Sequence, residues 1–195
     1  MNPLNPLFAW RRKDRSAAKL YGAIVAQTRL PLFYREFGVP DTLEGRFVLL
    51  SLHLFAVLHR LKTEGTVASD VVADNLAQEL IDRFSEDMET VLRELGVSDL
   101  RIPKNVRGLA ASSGAWLQAY EEAFAAGDGA LATTIAAALP LEGEPAKAAG
   151  GRLAHYLKGV VRHLEAEAFA ALKAGEVRFP EVSAISGQEL GDIQA

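Results

Sequence analysis

The amino-acid sequence predicts an all-α protein, an irregular helical bundle around a buried central helix at about Thr42–Leu61. Three observations carry this reading. The stretch GVPDTLEGRFVLLSLHLFAVLHRL, Gly38 to Leu61, is apolar almost all the way round. Flanking segments repeat apolar residues at three- and four-residue spacing, which marks one buried helix face. Strand alternation is missing; EVRFPEV, from Glu176, is the one candidate, and its proline weakens it.

The central helix has a well-signalled start. Pro40 disfavours helical geometry at Val39, and Asp41 with Glu44 three residues on forms a capping-box-like pattern. From Phe47 to Leu61 only Ser51, His53, His59 and Arg60 interrupt the apolar residues. A surface helix would show a polar face at 3.6-residue spacing. A membrane span needs about 20 apolar residues, and here Arg46 and Arg60 bracket a shorter run holding two histidines. The helix is therefore expected at the centre of a bundle.

The other elements follow in order. Ser16–Thr28 reads as an Ala-rich helix with Leu20, Ile24 and Val25 on one side. Pro31–Phe37 reads as a short helical turn closed by Gly38, which can take the left-handed conformation. Val71–Leu95 is amphipathic, with Leu76, Leu80, Phe84, Met88, Val91, Leu92 and Leu95 inward and charged residues outward. Pro103 suits the first position of a helix over Lys104–Ala126, with Val106, Leu109, Ser113, Leu117, Tyr120 and Phe124 as its inner stripe. Ala130–Leu139 is a short Ala-rich piece. LEGEPAKAAGG reads as a loop or linker before a last helix, about Arg152–Ala174, whose Leu153, Tyr156, Leu157, Val160, Val161, Leu164, Ala168 and Leu172 face inward. The expected organisation is a basic and apolar arm over 1–15, a single helical domain over 16–180 and a flexible tail over 181–195.

Composition narrows the function classes. The chain has 195 residues, 49% hydrophobic and 24% charged, enough to bury a core within one domain. It contains no cysteine, which excludes disulfides, thiolate metal sites and cysteine nucleophiles. Charge is uneven: the first twenty residues hold Arg11, Arg12, Lys13, Arg15 and Lys19 against Asp14, a net +4, which leaves −8 for the rest of a chain totalling −4. An acidic body with a basic arm lacks the basic face of a nucleic-acid binder. Leu4, Leu7, Phe8 and Trp10 precede the basic cluster. An interfacial anchor on an anionic membrane has this composition, and so does a tail packed on its own domain.

Catalytic and metal-binding constellations are not found. None of the four histidines has a glutamate three residues before it, and no two lie four apart, so the di-iron and zinc-protease helix patterns are missing. His53 and His163 could meet across the core as axial haem ligands, or each could be satisfied by a carbonyl or carboxylate. Glu79, Asp82, Glu86 and Glu89 alternate with Arg83 and Arg93 as a solvated face would. GDGA and AGGR are glycine turns with no strand before them, and the SSG at Ser112–Gly114 lacks a strand-turn-helix setting. No metal or cofactor is expected, and a chain so built works by binding.

One family shares these residues. Leu20-Tyr21-Gly22 with Ala26-Gln27 close behind is followed by Phe33-Tyr34, then Gly38-Val39-Pro40-Asp41-Thr42, Gly45-Arg46-Phe47 and Leu52-His53. After these come Met88 in the acidic helix, Gly96-Val97-x-Asp99-Leu100, and Lys104 with Arg107. Over about Leu20–Ala126 the sequence resembles the ubiquinol–cytochrome c chaperone family, the last long helix matching less well. The resemblance implies a non-catalytic assembly factor that binds newly made cytochrome b and supports assembly of the ubiquinol–cytochrome c reductase, complex III, at the membrane. Mitochondrial relatives work with a small partner protein near the ribosomal exit, and no residue here decides on such a partner. The short N-terminus, without a long presequence rich in Arg and Ser, points to a bacterial member in the cytoplasm, peripheral to the inner membrane. The matrix side of the mitochondrial inner membrane is the other location implied.

Holding an incomplete membrane protein calls for an apolar surface rimmed by polar groups. Leu32, Phe33, Tyr34 and Phe37 supply more aromatic bulk than a connector needs. Tyr34 and Phe37 are expected as an exposed pair, with Arg35, Asp99, Lys104 and Arg107 as further client-contact candidates. Leu7, Phe8, Trp10, Arg11, Arg12, Lys13 and Arg15 are the membrane-contact candidates. A generic helical interaction module and a haem carrier using His53 or His163 are the competing readings.

Overall fold

The structure is a computed structural model of the whole chain. It describes residues 5–68, 70–94 and 115–182, with side chains over 15–64, 70–91 and 115–182. The described residues are helical and contain no strand: α1 Asn5–Thr28, α2 Pro31–Arg35, α3 Leu43–Ala68, α4 Val71–Glu94, α5 Ala115–Ala126, α6 Asp128–Ala138, α7 Gly143–Ala166 and α8 Phe169–Lys173. The backbone is helical from Asn5, so the basic arm continues directly into α1.

Helix α3 is the axis of the bundle. Every residue from Phe47 to Leu58 is buried, with α1, α4, α5 and α7 packed around it. Its few polar groups are satisfied inside. Ser51 Oγ donates to the Val48 carbonyl at 2.8 Å and lies 3.3 Å from the Tyr120 hydroxyl. Arg60, only 8% exposed, donates to the Leu164 carbonyl of α7 at 3.0 Å and pairs with Glu64. A buried arginine is tolerated when its donors are spent. Arg60 here takes up a carbonyl that the end of α7 would leave without a partner.

The start of α3 differs from the expected cap. The Gly45 N–H donates to Thr42 Oγ1 at 3.2 Å, while Asp41 forms an exposed ion pair with Arg46 at 2.8 Å. The helix begins at Leu43, so Thr42 occupies the capping position and Asp41 lies one residue outside it. Gly45 is required for another reason: a Cβ there would collide with the Pro40 carbonyl. Gly38 has the expected left-handed φ, +72°.

The last third corrects the sequence reading. LEGEPAKAAGG is not a linker; α7 starts at Gly143 and runs through it. Pro145 falls in the first turn, where an amide donor has no partner to lose. Gly150 lies against α6, where an added Cβ would sit 2.5 Å from the Ala132 carbonyl oxygen and 2.8 Å from Ala136 Cβ. Glycine and alanine let the backbones of α6 and α7 approach closely, and among the described elements no pair is packed more extensively. The expected helix to Ala174 instead breaks after Ala166, because Glu167 and Ala168 are extended. Ala168 is therefore exposed at the break, while Leu172 of α8 is buried as expected. Residues 175–181 form an irregular strap whose Phe179 ring stands edge-on to His53 at 5.2 Å.

No described helix is long and apolar enough to cross a membrane.

Candidate functional site

Two apolar depressions flank the seam between α3 and α4. A groove of about 370 Å³ opens beside α5, with Leu58, Ala77, Ile81 and Leu117 as its floor and Lys62, Asp74, Gln78, Gln118 and Glu121 around it. Its charges are largely paired with one another. Glu121 lies 3.7 Å from Lys62 and 3.2 Å from His59 Nδ1.

The second, of about 220 Å³, lies at the opposite end of α4 beside α1 and α2. Val25 and Arg29 come from the end of α1 and its turn, and Tyr34 from α2. Leu43, Arg46, Phe47 and Leu50 are supplied by α3, and Asp87, Met88 and Val91 by α4. Its floor is apolar, and Arg29, Arg46 and Asp87 are its charged residues. Arg46 is paired with Asp41, and the Asp87 carboxylate accepts the Tyr21 hydroxyl at 2.8 Å. Arg29 and Arg35 are exposed and pair with no carboxylate among the described residues. Tyr34 donates its hydroxyl to the Thr28 carbonyl at 2.9 Å, tying α2 to the C-terminus of α1. Partial burial raises its pKa, and Arg46 and Arg29 pull it back.

The structure separates the residues that the sequence grouped. Tyr34 is half-buried on the cleft and Arg35 is exposed beside it. Phe37 is not an exposed partner of Tyr34; it is 2% exposed, packed against Phe33 at 5.4 Å and Tyr156 at 5.8 Å. Helix α2 ends at Arg35, so the i,i+3 relation that would put Tyr34 and Phe37 on one face does not apply. Arg152 of α7 fixes this corner, donating from Nε and Nη2 to the Phe37 carbonyl at 3.2 and 3.0 Å. Asp99, Lys104 and Arg107 lie outside the described residues, as do the side chains of Leu7, Phe8, Trp10, Arg11, Arg12 and Lys13. Arg15 is exposed on α1.

The histidines proposed as haem ligands are engaged otherwise. His53 is 1% exposed; Nδ1 lies 2.7 Å from the Leu49 carbonyl and Nε2 lies 2.9 Å from the Tyr156 hydroxyl. Gln27 donates to that hydroxyl at 3.1 Å. The chain runs one way: Gln27 amide to Tyr156 oxygen, Tyr156 proton to Nε2, Nδ1–H to Leu49. That order needs a neutral imidazole, and burial lowers the His53 pKa from 6.5 to about 4. Burial also keeps the Tyr156 phenol protonated by raising its pKa. His163 is half-buried, with Nε2 3.6 Å from Glu167. Among the described residues no cluster of three His, Asp or Glu side chains is placed to hold a metal. Asp82 accepts an amide hydrogen bond from Gln78, and Glu86 and Glu89 are exposed.

Sequence reasoning missed Trp116, 4% exposed between Phe84 and Tyr120. It also missed Arg29, which gave no signal before the fold placed it on the cleft.

The described residues form an all-α bundle with two polar-rimmed apolar clefts, surfaces suited to binding another molecule, and comparison supplies the class. The family described as ubiquinol–cytochrome C chaperone matches residues 35–179, and the chain belongs to that family. It is 34% identical to the solved Cbp3 homologue from Brucella abortus, with a TM-score of 0.72 over 91% of this chain and 97% of that one. The ubiquinol–cytochrome c reductase complex assembly factor 1 proteins of Xenopus laevis and Mus musculus are 23% and 25% identical over 126 residues. Those matches cover 65% of this chain but only 60% and 41% of the two relatives.

Proposed function

We propose that this chain is a non-catalytic assembly chaperone that binds newly made cytochrome b and supports assembly of complex III. The cleft beside Tyr34 is its client wall. Family membership supports the assembly role; the apolar, polar-rimmed cleft at Tyr34 is the observation that supports the site. Apolar floors with polar rims suit transient capture of segments that later bury themselves elsewhere. The chain works at the cytoplasmic face of the inner membrane, where Leu7, Phe8, Trp10, Arg11, Arg12, Lys13 and Arg15 touch anionic lipid.

The test pairs thermal melting with cross-linking to cytochrome b. Tyr34→Ala with Arg35→Ala removes one hydrogen bond and some half-buried area, at a cost of about 1–2 kcal/mol. The fold should survive while cross-linking and cytochrome b accumulation fall together. Unchanged cross-linking by a folded variant would remove Tyr34 from the client site.

A further inference from the structure

The stretch EVRFPEV, strand-like in the sequence, folds as the strap after α8 and has no strand partner among the described residues. Helical hydrogen bonding ends at its root, where Gly175 and Glu176 donate to the Leu172 and Ala171 carbonyls, both at 3.0 Å. Gly175 is anchored there: its φ is +85°, and an added Cβ would sit 2.7 Å from Ser16 Cα. Beyond it, among the described residues, no hydrogen bond or ion pair joins residues 177–181 to the bundle. Val177 and Phe179 are half-buried, Arg178 between them is exposed, and Val182 is buried. Inserted side chains alone hold the strap down.

The site under Phe179 is finished without it. Phe33, Tyr156 and Phe179 pack on the His53 ring at 5.5, 5.5 and 5.2 Å. Phe33 and Tyr156 are fully buried in α2 and α7, whereas Phe179 stands on the strap. Both His53 nitrogens are engaged within the bundle, at the Leu49 carbonyl and the Tyr156 hydroxyl. Lifting Phe179 away therefore breaks no hydrogen bond and orphans no polar atom of His53, and only apolar contact opposes it. Extended peptides are bound through main-chain hydrogen bonds and through pockets for alternate side chains. The strap uses the second device without the first.

We infer that residues 176–182 are the internal occupant of a peptide slot, open to an extended protein segment with a phenylalanine two residues after a branched aliphatic one. The incoming ring takes the place of Phe179 on His53. This slot is distinct from the Tyr34 cleft, which His53, Val177 and Phe179 do not line. The strap is tethered at Gly175 and competes at a high effective concentration. A free segment enters only where it is locally concentrated or fits better, so the strap sets a threshold for binding.

The experiment uses the full chain, as wild type and as Phe179→Ala, with the free peptide EVRFPEV as probe. The variant should bind the peptide about tenfold more tightly than wild type, because its tethered competitor is weakened. The His53 ring resonance, shifted by Phe179→Ala, should return toward its wild-type position as peptide is added. The melting temperature of the variant should rise with peptide concentration. A peptide with alanine in place of its phenylalanine, and a scrambled one, should do none of these. A folded variant that binds no peptide, or binds it no better than wild type, overturns the inference and leaves the strap as ordinary packing. Equal binding of the alanine or scrambled peptide overturns it too. Where Phe179→Ala does not fold, Val177→Ala carries the same comparison with a gain of a few fold, and no gain overturns the inference.

Discussion

Lowering the pH from 7 to 4 should cost this protein stability through a single buried imidazole. His53 is held neutral in the fold, with a pKa of about 4 against 6.5 when exposed. Between those values the unfolded chain binds a proton that the folded chain refuses, so stability rises with pH across the window. The contribution is full above pH 6.5 and lost as pH falls toward 4. Worked through the linkage relation, the loss is about 2 kcal/mol at pH 5 and about 3 kcal/mol at pH 4. A marginally stable domain would notice such a loss. The assay is urea unfolding at stepped pH for wild type and His53→Gln. Carboxylates and the other histidines add their own slopes to both proteins, so the difference between the two curves isolates His53. The difference should approach one proton, about 1.4 kcal/mol per pH unit, in the middle of the window. Parallel curves from pH 4 to 7 would refute the neutral, internally bonded imidazole and the directional chain from Gln27 to Leu49.

Three further outcomes are expected. Gly150→Ala should destabilise by about 1–3 kcal/mol by forcing α6 and α7 apart, whereas Gly151→Ala, which meets nothing within 4 Å, should stabilise by about 0.5–1 kcal/mol; chemical denaturation of the pair reads both signs. Phe37→Ala should cost about 3–5 kcal/mol as a core truncation, and a loss below about 1 kcal/mol would mean that the ring is not packed as described. Replacing Arg11, Arg12, Lys13 and Arg15 by Gln should abolish co-sedimentation with anionic liposomes, at about 1 kcal/mol per residue, while binding to neutral vesicles stays low throughout; equal binding of wild type to neutral and anionic vesicles, or undiminished anionic binding by the variant, would take the arm off the membrane.

Elements with strong periodicity were legible in the sequence. Helix α3 betrayed itself by lacking a polar face, and α4 by the Leu76, Leu80, Phe84 stripe, all three of which are buried. What failed were positions where tertiary contact overrides local preference. Gly150 and Gly151 argue for a loop by intrinsic propensity, yet Gly150 is helical because the backbone of α6 lies where a side chain would be. Phe37 seemed free for a client because a helical register was carried two residues past the end of α2. The His53–Tyr156 pair was beyond sequence reasoning, since the partners are 103 residues apart and neither carries a local motif. Of the residues lining the cleft, the sequence singled out Tyr34; Arg35 follows it in the chain but does not line it. The cleft itself could not, because its walls come from four helices.

The uniform apolarity of α3 sets a problem of timing for the protein itself. Arg60 finds the Leu164 carbonyl 104 residues later in the chain, and His53 waits 103 residues for Tyr156. At about 5–20 residues per second of synthesis, α3 spends roughly 5–20 s outside the ribosome before α7 exists to cover it. During that interval the nascent chain exposes the kind of surface it is proposed to protect in its client. Chains stopped before Gly143 are therefore expected to aggregate or to recruit general chaperones, and a chaperone of this design must itself be chaperoned until its last long helix has emerged.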